Sequence, residues 1–353
     1  MNKNNKNKIL HIFPGSSAKR YIYSGGSKGI NIFNNFFDSE NILKNDLVVN
    51  KKSDFALLKK LLTYDLSNYS HALIHYPMFP LSAIYIKFKN PKVKIIIRSH
   101  NAEFPHWLQH AYLELRGFRL KRSLSCFFTS IRNGYGEIIL GILANHILAI
   151  TEWEQNVYWR RRVTSPNKIL YAPYFIDVTN KDLPQNDRKN LCICLMSPNH
   201  SSFLEDAAKN FYSAVSRLDN HENWFFAITG DGYKHSHDNN NIEELGFVDN
   251  IKNLLRTASA IAVLTEYGYG FKTKVLEAAA EGCWSIVPEN TIPLIPKNIR
   301  PFCIPVNIKS SESFIEALNQ AQGPLPSFEN QNNKLKSHFI KALNNSLQIE
   351  EVR

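Results

Sequence analysis

Short, continuously apolar runs recur along this chain of 353 residues, and longer helical stretches separate them. In the first half they include residues 8–13, 72–76 and 92–99, and the second half repeats the pattern at 191–197 and 259–264. Several runs lack the polar alternation of a strand with one wet face, so they indicate parallel strands covered by helices on both sides. The sequence therefore predicts an α/β protein with two doubly wound domains in series.

The segment from residue 174 to residue 190 separates the two halves. It contains Pro184 with several aspartates and asparagines and has no apolar periodicity, which is typical of a linker. We predict a first domain over residues 1–178 and a second over residues 179–332. The stretch 333–353 reads as an amphipathic helix that must pack against an apolar surface. Its apolar residues, four apart, are Leu335, Phe339, Leu343 and Leu347.

Charge is distributed unevenly between the halves. Residues 1–178 hold 25 basic and 11 acidic residues, against 17 and 20 in the rest, so the net charges are +14 and −3. A basic half attracts an anionic membrane, a phosphorylated substrate or nucleic acid. No nucleic-acid-binding module is recognisable, so we expect no nucleic-acid partner. No apolar span of about 20 residues and no signal peptide are present, which predicts a cytoplasmic protein.

The segment 265–290 carries the clearest chemical signal. It reads as a strand end, a glycine-rich loop, a helix, a glycine stop and a strand. Gly268 and Gly270 allow a ligand to approach the backbone, and a helix beginning near Phe271 points its free amides at that loop. Lys272 and Lys274 add positive charge. A nucleotide-binding loop and an ordinary βαβ turn with a solvated glutamate both fit this segment alone.

The same segment resembles the C-terminal nucleotide-sugar signature of GT-B glycosyltransferases, most closely the retaining family 4 (group 1) type. Further matches occur in the family's order: IIIRSHNAEF at 95–104, NHILAITEWE at 145–154, ICLMSPN at 193–199, AITGDGY at 227–233 and the Gly-Phe-Val loop within 245–265. The resemblance covers nearly the whole chain. It implies two Rossmann-like domains facing across a cleft, with the C-terminal helix packing back on the acceptor-side first domain.

Residue roles follow from the resemblance only where positions match. It implies that Glu277 binds the ribose hydroxyls of the donor and that His100 lies near the transferred sugar, in the catalytic group. The other donor contacts that we predict on this basis are Gly25, Gly26, Gly246, Phe247, Val248, Gly268, Gly270, Phe271, Lys272 and Thr273.

Two departures from the family pattern matter. The family's first glutamate falls on Tyr269, which we also place among the donor contacts. Glu266, three residues earlier, is therefore the candidate to replace that glutamate beside the sugar, and we place it in the catalytic group. The Arg and Lys that many members carry after the first strand of the second domain are absent from residues 197–206. The candidates to neutralise the diphosphate instead are Lys28, Arg98, Lys272 and Lys274, and we place Lys274 in the catalytic group.

The stretch 115–136 combines five basic residues and no acidic ones with interleaved aromatic and aliphatic side chains. Such a surface fits an anionic membrane or a lipid-diphosphate acceptor, while the plain alternative is a solvated helix face. The predicted membrane or acceptor face consists of Arg116, Arg119, Lys121 and Arg122.

These features predict a glycosyltransferase that moves a sugar from a nucleotide-sugar donor to a glycan or lipid-linked acceptor. The resemblance implies retention at the anomeric carbon and catalysis without a metal or other cofactor, and it suggests bacterial surface polysaccharide or lipopolysaccharide synthesis. The alternative is a non-catalytic GT-B-like protein that binds a glycan, a nucleotide or a partner, which the missing family residues favour. A sugar-nucleotide epimerase of the same fold is a minor enzymatic rival.

Overall fold

The computed structural model describes residues 8–14, 25–49, 53–176, 189–196, 201–218, 223–230 and 242–348. The first domain contains a six-stranded, fully parallel sheet in the order β2-β1-β3-β4-β5-β6. Its strands are β1 (Ile9–Pro14), β2 (Lys44–Val49), β3 (His71–His75), β4 (Lys94–Arg98), β5 (His146–Ala149) and β6 (Ile169–Tyr171). Its helices are α1 (Gly25–Ser39), α2 (Asp54–Leu61), α3 (Pro80–Lys89), α4 (Glu103–Arg116) and α5 (Leu120–Leu143).

The second domain repeats this architecture with a second six-stranded parallel sheet, in the order β12-β11-β10-β7-β8-β9. Its strands are β7 (Lys189–Cys194), β8 (Phe225–Thr229), β9 (Ile242–Gly246), β10 (Ala258–Ala262), β11 (Trp284–Pro288) and β12 (Cys303–Val306). The helices are α6 (Ser202–Ser216), α7 (Ile251–Thr257), α8 (Thr273–Ala280), α9 (Ser311–Gln320) and α10 (Phe328–Leu347).

The central strands are buried over their whole length, as continuous apolar runs require. Every residue of β1, β3, β10 and β11 is buried. The predicted α/β class with two Rossmann-like domains is confirmed. Two strands were not predicted, and both lie at sheet edges. The strand β9 exposes Glu243 and Glu244, and β12 contains Pro305, which only an edge strand tolerates.

Strand order fixes where each domain can bind a ligand. In the first sheet β2 and β3 lie on opposite sides of β1, and in the second sheet β8 and β10 lie on opposite sides of β7. Ligands of open α/β sheets bind outside the carboxyl ends of the strands at such points, because the connecting segments diverge there. The glycine-rich loop leaves the carboxyl end of β10 and therefore lies at the binding edge of the second sheet.

The helix α10 packs back on the first domain, as predicted. Its residues Leu335, Phe339 and Leu343 are buried, and the ring of Phe339 lies 5.1 Å from that of Phe33 on α1. The side chain of Asn332 both accepts from the amide of Ile176 (3.0 Å) and donates to its carbonyl (2.7 Å). The predicted boundary between residues 178 and 179 lies outside the described residues.

A candidate nucleotide-sugar site between the domains

The glycine-rich loop connects β10 to α8 and is held by the first domain. Gly268 has φ +100°, a conformation that residues with a side chain rarely adopt. Its amide donates to Oε1 of Gln109, on α4 of the first domain, at 2.7 Å. Nothing in the sequence distinguished Gln109, because its role depends on how the two domains face each other.

Two lysines at the start of α8 are anchored on backbone carbonyls. Nζ of Lys272 donates to the carbonyl of Tyr267 at 2.9 Å, and Nζ of Lys274 donates to the carbonyl of Leu195 at the end of β7. Burial, and then the neighbouring Lys274, lower the pKa of Lys272 to about 8. No carboxylate forms an ion pair with Lys272 among the described residues. Half-buried positive charge at the amino end of a helix is suited to binding a phosphate.

Some of the predicted backbone contacts are already used within the protein. The amide of Thr273 donates to the carbonyl of Phe271 at 2.8 Å, so it does not point freely toward a ligand. Position 270 also needs glycine for a structural reason. A β-carbon there would collide with Oδ1 of Asn101, in the loop after β4 of the first domain. The absence of a side chain at position 270 therefore lets the two domains meet.

Glu266 lines a cavity of about 440 Å³ between the domains. The ring of Tyr269 stacks on that of Trp153 from the first domain, with centroids 4.8 Å apart. Nδ2 of Asn290 donates to Oε1 of Glu266 at 3.3 Å. The cavity is lined by Gln109, Trp153, Glu266, Tyr267, Tyr269, Asn290, Pro293 and Leu294. Trp153 lies in one of the segments that resemble the family, whereas Asn290 gave no separate signal.

His100 lies two residues beyond β4, as predicted, but it is buried and both ring nitrogens are engaged. Nδ1 is 2.6 Å from the hydroxyl of Tyr174, and Nε2 is 2.9 Å from Nδ1 of His75. Gly29 of α1 covers this pair, since a β-carbon there would lie 2.9 Å from Cε1 of His100. In this arrangement the imidazole has no ring nitrogen left for a sugar hydroxyl.

The prediction that Arg98 contacts the donor is corrected by its burial. The guanidinium is 0% exposed and lies 5.4 Å from the ring of Phe33 and 5.1 Å from that of Tyr174. Its Nη1 donates to the carbonyl of Ala172. Desolvation lowers the pKa of Arg98. Because nothing of the side chain reaches the surface, Arg98 supports the interior of the first domain.

The remaining predicted donor residues lie near the carboxyl ends of their strands or at helix starts. Gly25 and Gly26 form the first residues of α1 instead of a separate loop. Gly246 ends β9 with φ 61°, and its carbonyl accepts from the amide of Gly230 at 2.6 Å. Phe247 is exposed and Val248 is half-buried. Glu277, on α8, is half-buried four residues after Thr273.

The predicted basic face separates into two parts. Arg119 pairs with Glu114 at 2.6 Å and, across the domain interface, with Glu205 of α6 at 2.9 Å. Arg116 interacts with Tyr267 of the glycine-rich loop, and this hydrogen bond raises the pKa of Arg116. These two arginines therefore contact the second domain, and their assignment to a membrane or acceptor face stays a prediction. Lys121 and Arg122 are exposed at the start of α5.

Comparisons with known proteins agree with this architecture. Residues 194–321 match the family model described as glycosyl transferases group 1. The structure of Anabaena Alr3699/HepE in complex with UDP-glucose is 12% identical, with a TM-score of 0.59 and coverage of 97% of this chain and 98% of that one. A glycosyltransferase from Rickettsia africae ESF-5 is 16% identical (TM-score 0.53, coverage 98% and 96%). No match was found among curated proteins.

A third similar structure, of S. aureus MnaA with UDP, is 13% identical, with a TM-score of 0.53 and coverage of 95% of this chain and 91% of that one. The chain therefore has the two-domain GT-B fold of glycosyltransferases. Within the second domain, residues 194–321 match the group 1 model. The resemblance predicted from the sequence motifs is confirmed at this level.

Proposed function

We propose that the protein is a glycosyltransferase that takes a sugar from a nucleotide-sugar donor bound at the second domain. The observation that carries the proposal is the pair of lysines at the start of α8, where Lys272 is half-buried, has a pKa of about 8 and pairs with no carboxylate among the described residues. Desolvating a cation without a counter-ion is costly, so the site is suited to an anion that arrives with the substrate. A nucleoside diphosphate leaving group supplies that anion.

The same lysines define the proposed chemistry. The bond from the sugar's anomeric carbon to the diphosphate oxygen breaks, and charge develops on that oxygen. Two ammonium groups and the helix dipole stabilise this charge, which lowers the barrier through preorganised electrostatics. No metal is required in this scheme. Retention at the anomeric carbon remains a proposal that rests on the family resemblance.

We place the acceptor in the interdomain cavity. Its stacked Trp153 and Tyr269 offer apolar ring surface to the CH face of a sugar, and Gln109, Glu266 and Asn290 offer planar polar groups to hydroxyls. The lining thus combines polar side chains with aromatic rings, as the hydroxyls and CH faces of a sugar require. A glycan, free or lipid-linked, is the acceptor class that this lining favours.

A non-catalytic binding protein is the second candidate, and one contact favours it. Tyr269 occupies the place of the family's first glutamate, and its ring is already stacked on Trp153. Unless Glu266 supplies the missing carboxylate, the site would bind a nucleotide sugar without transferring it. Release of nucleoside diphosphate from a nucleotide sugar separates the two candidates.

The donor site is tested by calorimetric titration with UDP, GDP, ADP and CMP, followed by release of the diphosphate from the corresponding nucleotide sugars. A nucleotide at about 100 times its dissociation constant should also stabilise the fold by about 2.7 kcal/mol. Lys272→Ala and Glu277→Ala should lose the preferred nucleotide, whereas Lys252→Ala, an exposed lysine of the same domain, should keep it. Equal nucleotide binding by the unchanged protein and all three variants would contradict the assignment of the donor site.

We also propose peripheral attachment to an anionic membrane through α5 and α3, on the cytoplasmic face. The exposed apolar residues on α5 recur at intervals of three, four or seven, which is one helix face. They are Leu124, Phe128, Tyr135, Ile138 and Ile142, and α3 adds Leu81, Ile84 and Phe88. The exposed basic residues Lys121 and Arg132 flank this face. No described helix is long and apolar enough to cross a membrane.

Sedimentation with vesicles tests this attachment. Each basic residue near an anionic surface contributes about 1 kcal/mol, so binding to vesicles with half phosphatidylglycerol should exceed binding to pure phosphatidylcholine. Phe128→Ser should weaken it, and Phe225→Ser, a phenylalanine of the second domain, is the matched control because the two side chains are 66% and 67% exposed. Such a face suits a lipid-linked acceptor in bacterial surface polysaccharide or lipopolysaccharide synthesis, which we propose as the pathway.

A further inference from the structure

A chain of hydrogen bonds crosses the first sheet, from the middle of β2 and β1 to the carboxyl ends of β3, β4 and β6. It joins side chains from β2, β1, β3, the loop after β4 and the loop after β6, in the order of the sheet. The four contacts are Asp46 Oδ1 to His11 Nδ1 (2.8 Å), His11 Nε2 to His75 Nε2 (2.8 Å), His75 Nδ1 to His100 Nε2 (2.9 Å) and His100 Nδ1 to the Tyr174 hydroxyl (2.6 Å).

Asp46, the partly exposed end of this chain of hydrogen bonds, fixes the direction in which each hydrogen bond is donated. The hydrogen bond from His11 lowers the pKa of Asp46, so this residue is a carboxylate and can only accept. Nδ1 of His11 must then carry a proton. Burial lowers the pKa of His11, so the ring is neutral and its Nε2 is an acceptor.

The same logic passes along the buried part. His75 must donate from Nε2 to His11, and because burial holds its pKa well below the usual value, its Nδ1 is an acceptor. His100 must therefore donate from Nε2. At the far end, burial raises the pKa of Tyr174 to about 12, so the phenol keeps its proton and can donate to Nδ1 of His100.

We propose that Asp46, His11 and His75 are positioning residues that hold a neutral His100 in its Nε2–H tautomer, with Nδ1 accepting from Tyr174. The role that we give to this arrangement rests on the proposed glycosyltransferase function. The ring of Tyr174 lies 5.2 Å from that of Phe271, the residue before Lys272. The adjacent Asn101 meets Gly270. The chain thus fixes the part of the first domain against which the glycine-rich loop closes.

The direct test is the protonation state of each ring in the full-length protein without ligand. Long-range ¹H–¹⁵N spectra of ¹⁵N-histidine-labelled protein distinguish the two tautomers from the imidazolium. We expect Nδ1–H at His11 and Nε2–H at His75 and His100. A proton on Nδ1 of His100, alone or together with one on Nε2, overturns the proposal. Since no substrate is added, this result is independent of whether the protein transfers sugars.

Two variants test transmission along the chain. His75→Leu breaks it in the middle, and Asp46→Ala removes its 38% exposed end, where folding is least at risk. In each, His100 should become a mixture of tautomers. His71→Leu is the matched control, because His71 is buried on the same strand but contacts Ser70 and not the chain. A His100 spectrum that is unchanged in His75→Leu or in Asp46→Ala overturns the proposal.

A functional readout accompanies the spectra. With UDP-glucose as the probe, His75→Leu and Asp46→Ala should lower kcat/KM by about tenfold, because a displaced His100 shifts the surface against which the glycine-rich loop closes. His71→Leu should leave it unchanged. Full activity in both chain variants despite mixed tautomers would overturn the positioning role.

Discussion

The side-chain oxygen of Asn101 occupies the space into which a β-carbon at position 270 would project. The two residues belong to different domains, so this contact records how closely the loop after β4 approaches the glycine-rich loop. A larger side chain at either position would move one domain away from the other. The contact therefore means that position 270 of the second domain must lack a side chain because Asn101 of the first domain fills that space.

Gly270→Ala should keep both domains folded but prevent this approach. We expect a larger radius of gyration in small-angle X-ray scattering and a loss of diphosphate release of about tenfold or more, because a small displacement of reacting groups is enough for such a loss. The double variant Asn101→Ala/Gly270→Ala removes the clashing oxygen and should recover compactness. Equal compactness of Gly270→Ala and the unchanged protein would contradict the assignment.

Nucleotide binding should weaken as the pH rises from 7 to 9. The pKa of Lys272 is about 8, so the ammonium that we propose to bind the diphosphate is mostly present at pH 7 and mostly lost at pH 9. If only the charged form binds, the dissociation constant for UDP should rise about tenfold over this range. Titration calorimetry at both values measures it. Lys272→Arg, which stays charged, should bind UDP with no such dependence.

Arg119 should matter for domain closure more than for membrane binding. Its ion pair with Glu205 is partly exposed, so its loss should cost no more than about 1 kcal/mol of interdomain stability. Arg119→Ala should shift the scattering profile toward open forms, and Lys121→Ala, at an exposed neighbour that forms no ion pair among the described residues, should not. Vesicle binding should decrease more in the variant of the membrane face than in Arg119→Ala. The same loss of vesicle binding in both variants would contradict this separation.

Acid should loosen the contact between α4 and α6. Nδ1 of His110 lies 2.6 Å from Oγ of Ser202, and burial lowers the pKa of His110 to about 4. An unfolded histidine titrates near 6.5, so the unfolded chain binds more protons as the pH falls from about 6.5 to 4, and stability falls over that window. Urea midpoints at pH 7 and pH 5 should differ less in His110→Asn than in the unchanged protein. The same substitution at the exposed His338 is the control.

The sequence predicted ten of the twelve strands described, and the C-terminal helix, because their signals are local. Continuous apolar runs identify buried parallel strands, and the spacing of Leu335, Phe339 and Leu343 identifies a helix face. The histidine chain gave no such signal. His11, His75 and His100 are far apart in sequence, and only the strand order brings them together.

Arg98 and Arg119 also show this limit of prediction from sequence. Both are basic residues in plausible places for an anionic ligand, yet one is enclosed by aromatic rings and the other pairs across the interface. Charge and position along the chain do not reveal the partner of a side chain, because that partner comes from distant sequence. Only the packed structure separates a ligand-binding arginine from a structural one.

The return of α10 to the first domain has a consequence for synthesis on the ribosome. Phe33 and Phe36 of α1 are covered by Phe339, a residue made about three hundred positions later. Domains generally fold in order as the chain emerges. Here the first domain must wait, with an apolar surface open to solvent and to chaperones, until the second domain and α10 have left the exit tunnel.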